Sequence, residues 1–409
     1  MPPSKSDTSD AIVKKNSLIQ AVLSGWNHQG TGELSARTIA ASAGISPSAI
    51  YYYFDDVEHL YEAASHEAMA QARLWCDAQM AQFGALHIDG ARPGDVVAAM
   101  MATLIDELCS QDRTIALAWR EAHILAARSP EFSTLWAGWD QLWRNFWLGI
   151  CRRLGIEADA DFCHNFFDGE VCLHLMRWNR TGDRASLDEI TRGFGAFLDG
   201  APLPPAPWRA MLKQQAIQSI FVADRNDALS RNIAQAATEL LALGGIGAIT
   251  HRAVAARAGL TLGTVSHHFK RADDLLRLAY HETYHILTGL SPNPAEPGTF
   301  TPMANNTPTL RRTLAIDELV LAVARGRADS SLALALRYLR GRTSQFAIAE
   351  TTSLKGQPLA LAAAIASSIM MGVLHRTIHE TDEIAADIRQ AVHQDMLRRL
   401  VAGGRSDPS

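Results

Sequence analysis

A chain of 409 residues with 47% hydrophobic content can hold two or three globular domains and is too apolar for a disordered tail. Its five cysteines (Cys76, Cys109, Cys151, Cys163, Cys172) are odd in number and lack CxxC spacing, which argues against a disulfide scaffold and for free thiols in a reducing compartment. The net charge of −5 is split between halves: residues 1–205 carry 16 basic and 26 acidic side chains, and residues 206–409 carry 22 and 17.

The first ten residues are polar and are expected to be disordered. From Ala11 to about Trp26, Ile12, Leu18, Ile19 and Leu23 predict an amphipathic helix. Ser35 then offers an N-cap oxygen. Ile39, Ala40 and Ala43 make one apolar face, and Gly44 ends the helix, because glycine adopts the left-handed conformation cheaply. Ser46 reads as the cap of a second short helix, with Pro47 at its first position, where a missing N–H costs nothing. Ile50 and Phe54 plug the angle between the two. This is a helix-turn-helix, a unit whose second helix enters the major groove of DNA.

Further helices are predicted over 57–83, 93–109, 113–127, 130–154, 159–180 and 185–199. Trp136, Trp139, Trp143 and Trp147 fall on one stripe of one helix. The plainer reading of that stripe is core; the sharper one is an aromatic-lined effector pocket built with Trp119, Phe166, Phe167 and Trp178. GAPLPPAP, from Gly200 to Pro207, cannot continue a helix. It reads as a domain boundary, followed by a linking helix near 208–223.

The helix-turn-helix then returns. Thr250–Leu275 matches Ser35–Leu60 without a gap at an offset of 215 residues, pairing Arg37 with Arg252, Gly44 with Gly259 and Phe54 with Phe269. The chain is therefore two related halves. Helices are predicted in the second over 226–243, 309–325, 329–347, 357–378 and 383–402, interrupted by an irregular stretch from Ser291 to Pro308. Nothing reads as a strand, so the expected class is all-α. No signal peptide or membrane span is read, so a soluble cytoplasmic protein is expected.

AGISPSAIYYYF (Ala43–Phe54) and, more loosely, AGLTLGTVSHHF (Ala258–Phe269) resemble the TetR family of transcriptional regulators. The resemblance covers about 50 residues in each half. It departs from the family at Val57 and Ala272, where a basic residue is usual, and at Ser266, His267 and His268, which replace Tyr51, Tyr52 and Tyr53. It implies two tandem units: DNA-binding domains at 1–60 and 226–275, ligand-binding domains at 61–199 and 276–403, and a linker at 200–225. The implied function is a repressor released from its double-stranded DNA operator by a small apolar or aromatic effector. DNA contacts are expected from Ser35, Arg37, Ser46, Pro47, Ser48, Ala49, Tyr51 and Tyr52. In the second unit they are expected from Thr250, Arg252, Thr261, Gly263, Thr264, Ser266, His267 and Lys270. Family members pair through their last two helices, so the halves are expected to form an intramolecular pseudo-dimer, with a further homodimer of chains left open.

HETYH, His281–His285, matches the HExxH zinc motif. His281–Glu282 aligns, however, with His66–Glu67, where the next ligand position is Ala70, and no third ligand follows. His375 and His379 form a second pair that could join it; a packed or solvated helix face is the plainer reading. With no GxSxG, Walker loop or GxGxxG either, no catalytic residue, cofactor or metal is expected. The alternative is a small-molecule or metal-binding helical protein with degenerate DNA-binding motifs.

Overall fold

The computed structural model describes residues 5–219, 228–288, 307–328 and 331–403, and within them nineteen α-helices and no strand. The first half comprises α1 (Lys5–Trp26), α2 (Ala36–Ser42), α3 (Ile50–Tyr53), α4 (Val57–Gly84), α5 (Pro93–Ser110), α6 (Arg113–Arg128), α7 (Ser133–Leu154), α8 (Ala160–His174) and α9 (Arg180–Leu198). After α10 (Pro207–Ser219) come α11 (Ala228–Gly244), α12 (His251–Ala258), α13 (Leu262–His268), α14 (Ala272–Thr288), α15 (Thr307–Ala324), α16 (Ser331–Tyr338), α17 (Arg342–Thr351), α18 (Gly356–Arg376) and α19 (Asp382–Gly403). The expected all-α class is what the chain adopts.

Helix ends differ from expectation where local chemistry intervenes. α1 begins at Lys5, inside the tail expected to be disordered; Lys14 pairs with Asp10 one turn before it, at 3.5 Å. The helix expected over 159–180 stops at His174, because Asn179 caps α9 by accepting the Gly182 amide at 2.9 Å. The helix expected over 329–347 divides at Gly341 (φ 81°), where a Cβ would lie 2.6 Å from the Ala363 carbonyl oxygen on α18. Of the expected linking helix, 220–223 lie outside the described residues, as does Ser291–Pro308 up to residue 306; Thr307 and Pro308 open α15.

The two halves share one core, centred where α8 crosses α18. A Cβ on Gly169 would lie 2.3 Å from the Ser368 carbonyl oxygen, and one on Gly372 would lie 2.2 Å from that of Asn165. Only glycine lets these backbones approach so closely. α9 and α19 pack beside the pair. α18 corrects one expectation: it is uncharged from Gly356 to Leu374 and long and apolar enough to cross a membrane. Most of that helix is buried within the protein.

Candidate nucleic-acid interface and the junction behind it

Each helix-turn-helix is set by the caps and glycines of its own sequence. Ser35 Oγ accepts the Thr38 amide at 3.2 Å and Thr250 Oγ1 accepts that of Ala253 at 3.1 Å. Gly44 and Gly259 take φ of 70° and 68°, the left-handed turn between the helices. Thr261 Oγ1 caps α13 by accepting the Thr264 amide at 3.1 Å. Ser46 does not do the same: its hydroxyl bonds the Ser48 hydroxyl at 3.0 Å. Consequently Pro47–Ala49 is a 3-10 turn and α3 proper is four residues, against seven in α13.

Ile50 and Phe54 are buried, so Tyr51 and Tyr52 stand 60% and 80% exposed. Arg37, Ser46, Pro47 and Ser48 are exposed beside them, and Ala49 is half-buried. Val265 is the buried counterpart of Ile50. Around it Thr250, Arg252, Thr261, Gly263, Ser266, His267 and Lys270 are exposed, and Thr264 is half-buried. The positive field is thinner than the residue count suggests. Arg257 is paired with Glu239 and Arg271 with Asp273, while Lys15 lies over the Phe54 ring, 5.2 Å from its centroid.

A junction missed by sequence reading ties the two motifs together. On α6, Glu121 and Arg128 are seven residues apart; Glu318 on α15 and Arg325, just past its last residue, repeat that spacing. Arg128 donates to Glu318 at 2.6 Å and to the Leu241 carbonyl at 3.1 Å, near the end of α11. Arg325 donates to Glu121 and, at 3.0 Å, to the Trp26 carbonyl that ends α1. Trp26 and Leu241 are repeat equivalents. Each half's arginine therefore secures the first helix of the other half. Glu121 also accepts from Thr31 Oγ1 at 2.6 Å, and Arg327 donates to Glu33 at 2.7 Å. The 3-10 turns Thr31–Glu33 and Ile246–Ala248 touch, with the Gly32 carbonyl oxygen 3.0 Å from where a Cβ on Gly247 would stand.

The aromatic residues are brought together only in part. Trp119, Trp139, Trp143 and Phe167 share one buried cluster with Trp75, Phe146 and Trp147. Trp136 sits edge-on to His123, and Phe166 stacks on Phe194 of α9 at 4.0 Å. Trp178 lies apart, lining a cleft of about 170 Å³ with His174, Arg177 and Asp183. Trp139 donates to Ser65 at 2.9 Å, but the buried indole N–H groups of Trp119, Trp136, Trp143 and Trp147 have no partner.

His375 is fully buried and His379 lies in the turn beyond α18, while the His285 side chain lies outside the described residues. Among the described residues His375 is grouped instead with His123 and Asp317. Burial opposes its protonation, but the flanking Asp168 and Asp317 carboxylates outweigh it and raise its imidazole to about 9. Burial pushes the neighbouring His123 down to about 4. All five cysteines are buried and free of disulfides.

A family model described as bacterial regulatory proteins, tetR family, matches residues 18–64 and 233–279, the same 215-residue repeat. A search of curated proteins found no match. The matched segments contain both motifs just described, from the second half of α1 into α4 and from α11 into α14. With caps, turns and exposed recognition helices present in each segment, the chain carries two DNA-binding domains of the tetR family in tandem, one at the start of each half, the equipment of a TetR-type transcriptional regulator.

Proposed function

We propose that a single chain acts as a complete pseudo-dimer, reading two unlike half-sites of one operator and releasing DNA when an effector enters the first half. The observation that carries this reading is the crossed pair of bridges Arg128–Glu318 and Arg325–Glu121. Both sit at least four-fifths buried and hold two exposed recognition helices in one fixed relation. For the effector, the supporting feature is the four unpartnered indole N–H groups, because a buried donor left unsatisfied costs about 1–3 kcal/mol. A flat ligand carrying acceptor atoms would recover that energy, and α6, which supplies both Trp119 and the bridge residues, would carry its effect to the motifs. Repression is the direction this mechanism favours, since disturbing the junction weakens DNA binding.

Selection of bound DNA from a random pool, followed by footprinting and a mass measurement of the complex, tests the reading. One chain protecting an asymmetric site is expected; two chains on a perfect palindrome would overturn the pseudo-dimer. Tyr52→Phe should weaken binding to all sequences about equally, by roughly tenfold for one lost hydrogen bond to a charged phosphate. A gel-shift titration on specific and scrambled DNA checks it, and unchanged affinity removes the Tyr52 hydroxyl from the contacts. Arg128→Met with Arg325→Met should loosen the fixed spacing, so that operators with one base pair added between half-sites bind as well as the original. If the double variant keeps the wild-type spacing preference, the bridges do not set it.

A further inference from the structure

We infer that the junction between the halves contains a binding site for a divalent transition-metal ion, formed by His123 of α6, Asp317 of α15 and His375 of α18. This site stands independently of how the chain reads DNA.

The ligand atoms of the three residues all lie within 4.8 Å of one another, and all three side chains are buried. His123 Nδ1 is 3.3 Å from Asp317 Oδ2, and His375 Nε2 is 3.1 Å from Asp317 Oδ1. For an ion with bonds of about 2.0–2.1 Å in tetrahedral geometry, neighbouring ligand atoms stand about 3.3 Å apart. The two histidine separations, one to each Asp317 oxygen, are close to that edge.

Two further features point to a ligand. His123 Nε2 has no hydrogen-bond partner although the side chain is fully buried, and its Nδ1 has only the 3.3 Å approach to Asp317 Oδ2. A histidine retained only for packing would leave a polar atom stranded where phenylalanine would do better. An ion held between His123 Nδ1 and Asp317 gives the histidine a reason to be there. Second, His375 carries the support that metal-bound histidines usually have. Its Nδ1 lies 2.6 Å from Asp168 Oδ1, and Arg120 Nη1 fixes that same oxygen at 2.7 Å. This carboxylate orients the ring so that Nε2 faces the ligand group.

Two imidazoles and one carboxylate suit zinc, cobalt, nickel or ferrous iron rather than magnesium or calcium. Three protein ligands leave a fourth tetrahedral position to a water or an exogenous donor. Because His123 comes from the first half and the other two ligands from the second, a bound ion links the halves directly.

The test uses the full chain, treated with chelator under mild denaturant, refolded with zinc or cobalt(II) and freed of excess ion. The expected result is one ion per chain by elemental analysis, visible d–d absorption with cobalt, and a melting temperature raised by several degrees with zinc. His123→Phe should fold like the metal-free wild type, because it gives up only the 3.3 Å approach to Asp317 Oδ2, yet lose the ion and the shift. His66→Ala, on exposed α4, should keep both. Should His123→Phe fail to fold, X-ray absorption on the cobalt-loaded wild type decides instead. A shell with two imidazole nitrogens supports the site, and one without imidazole rejects it. Absence of stoichiometric zinc and cobalt in the wild type, or equal loading of His123→Phe, overturns the inference.

Discussion

Inserting five base pairs between the half-sites of a selected operator should reduce the affinity of the chain toward its non-specific level, about a thousandfold or more. Five pairs rotate one half-site by about half a turn, since B-DNA repeats every 10–10.5 pairs. Two motifs on a loose tether could follow that rotation. Here Arg325 reaches the end of α1 from just beyond α15, Arg128 reaches the end of α11 from α6, and the turns at Gly32 and Gly247 touch. Only one motif can then engage at a time. Ten inserted pairs restore the face of the helix but add about 34 Å, so they should fail as well. The half-sites themselves should differ, because Tyr51 and Tyr52 on a four-residue helix face DNA in one unit, and Ser266 and His267 on a seven-residue helix in the other. Replacing either half-site by a copy of the other should therefore weaken binding, with each mismatched pair costing about 1–3 kcal/mol. Gel-shift titrations at one fixed salt concentration measure all five operators, and equal affinity for the parent and the five-pair insertion would sink the idea of a rigid reader.

The helix-turn-helix units were legible in the sequence because backbone geometry leaves few choices there. A left-handed turn calls for Gly44 and Gly259, and a helix start favours Ser35, Thr250 and Thr261. Ser46 misled because Ser48, two residues on, takes its hydroxyl, a competition that no propensity records. The Glu–Arg junction escaped for a different reason. Glu121 and Arg128 match Glu318 and Arg325 at an offset of 197, not 215, because the second half has 18 fewer residues between its motif and its pair. A repeat search in one register passes over them. The tryptophan stripe showed which face of α7 is buried but not what fills the space against it. His375 appeared as half of a helical pair with His379, whereas its partners come from α8 and α15, far away in sequence. Local patterns report capping and faces; contacts between α6, α8, α15 and α18 arise only when the halves close on each other.

How firmly the halves hold together can be measured at Glu170. This α8 carboxylate is fully buried against Arg340, which follows α16, and the Ser368 hydroxyl of α18 donates to it. His174 Nδ1 stands 3.2 Å from its second oxygen. Burial opposes its ionisation, but the Arg340 guanidinium and His174 outweigh that and hold the carboxyl well below the usual carboxylate range. Arg340→Met removes the counter-charge and leaves a carboxylate buried between helices of both halves, so it should destabilise the chain by about 3–5 kcal/mol. Because the folded carboxyl is depressed relative to the unfolded one, its contribution is present above the ordinary carboxylate range. It is lost as pH falls below that range, so the wild type should lose stability there. Arg340→Met should lose this part of the pH dependence, since its Glu170 no longer has a reason to stay ionised. Adding Glu170→Met to Arg340→Met should recover most of the loss, because a buried ion pair replaced by apolar groups of similar volume is often neutral or stabilising. Urea unfolding of the wild type and the two variants across the acid range checks both points. A double variant no more stable than Arg340→Met would show that the junction depends on the shape of these side chains and not on their charge.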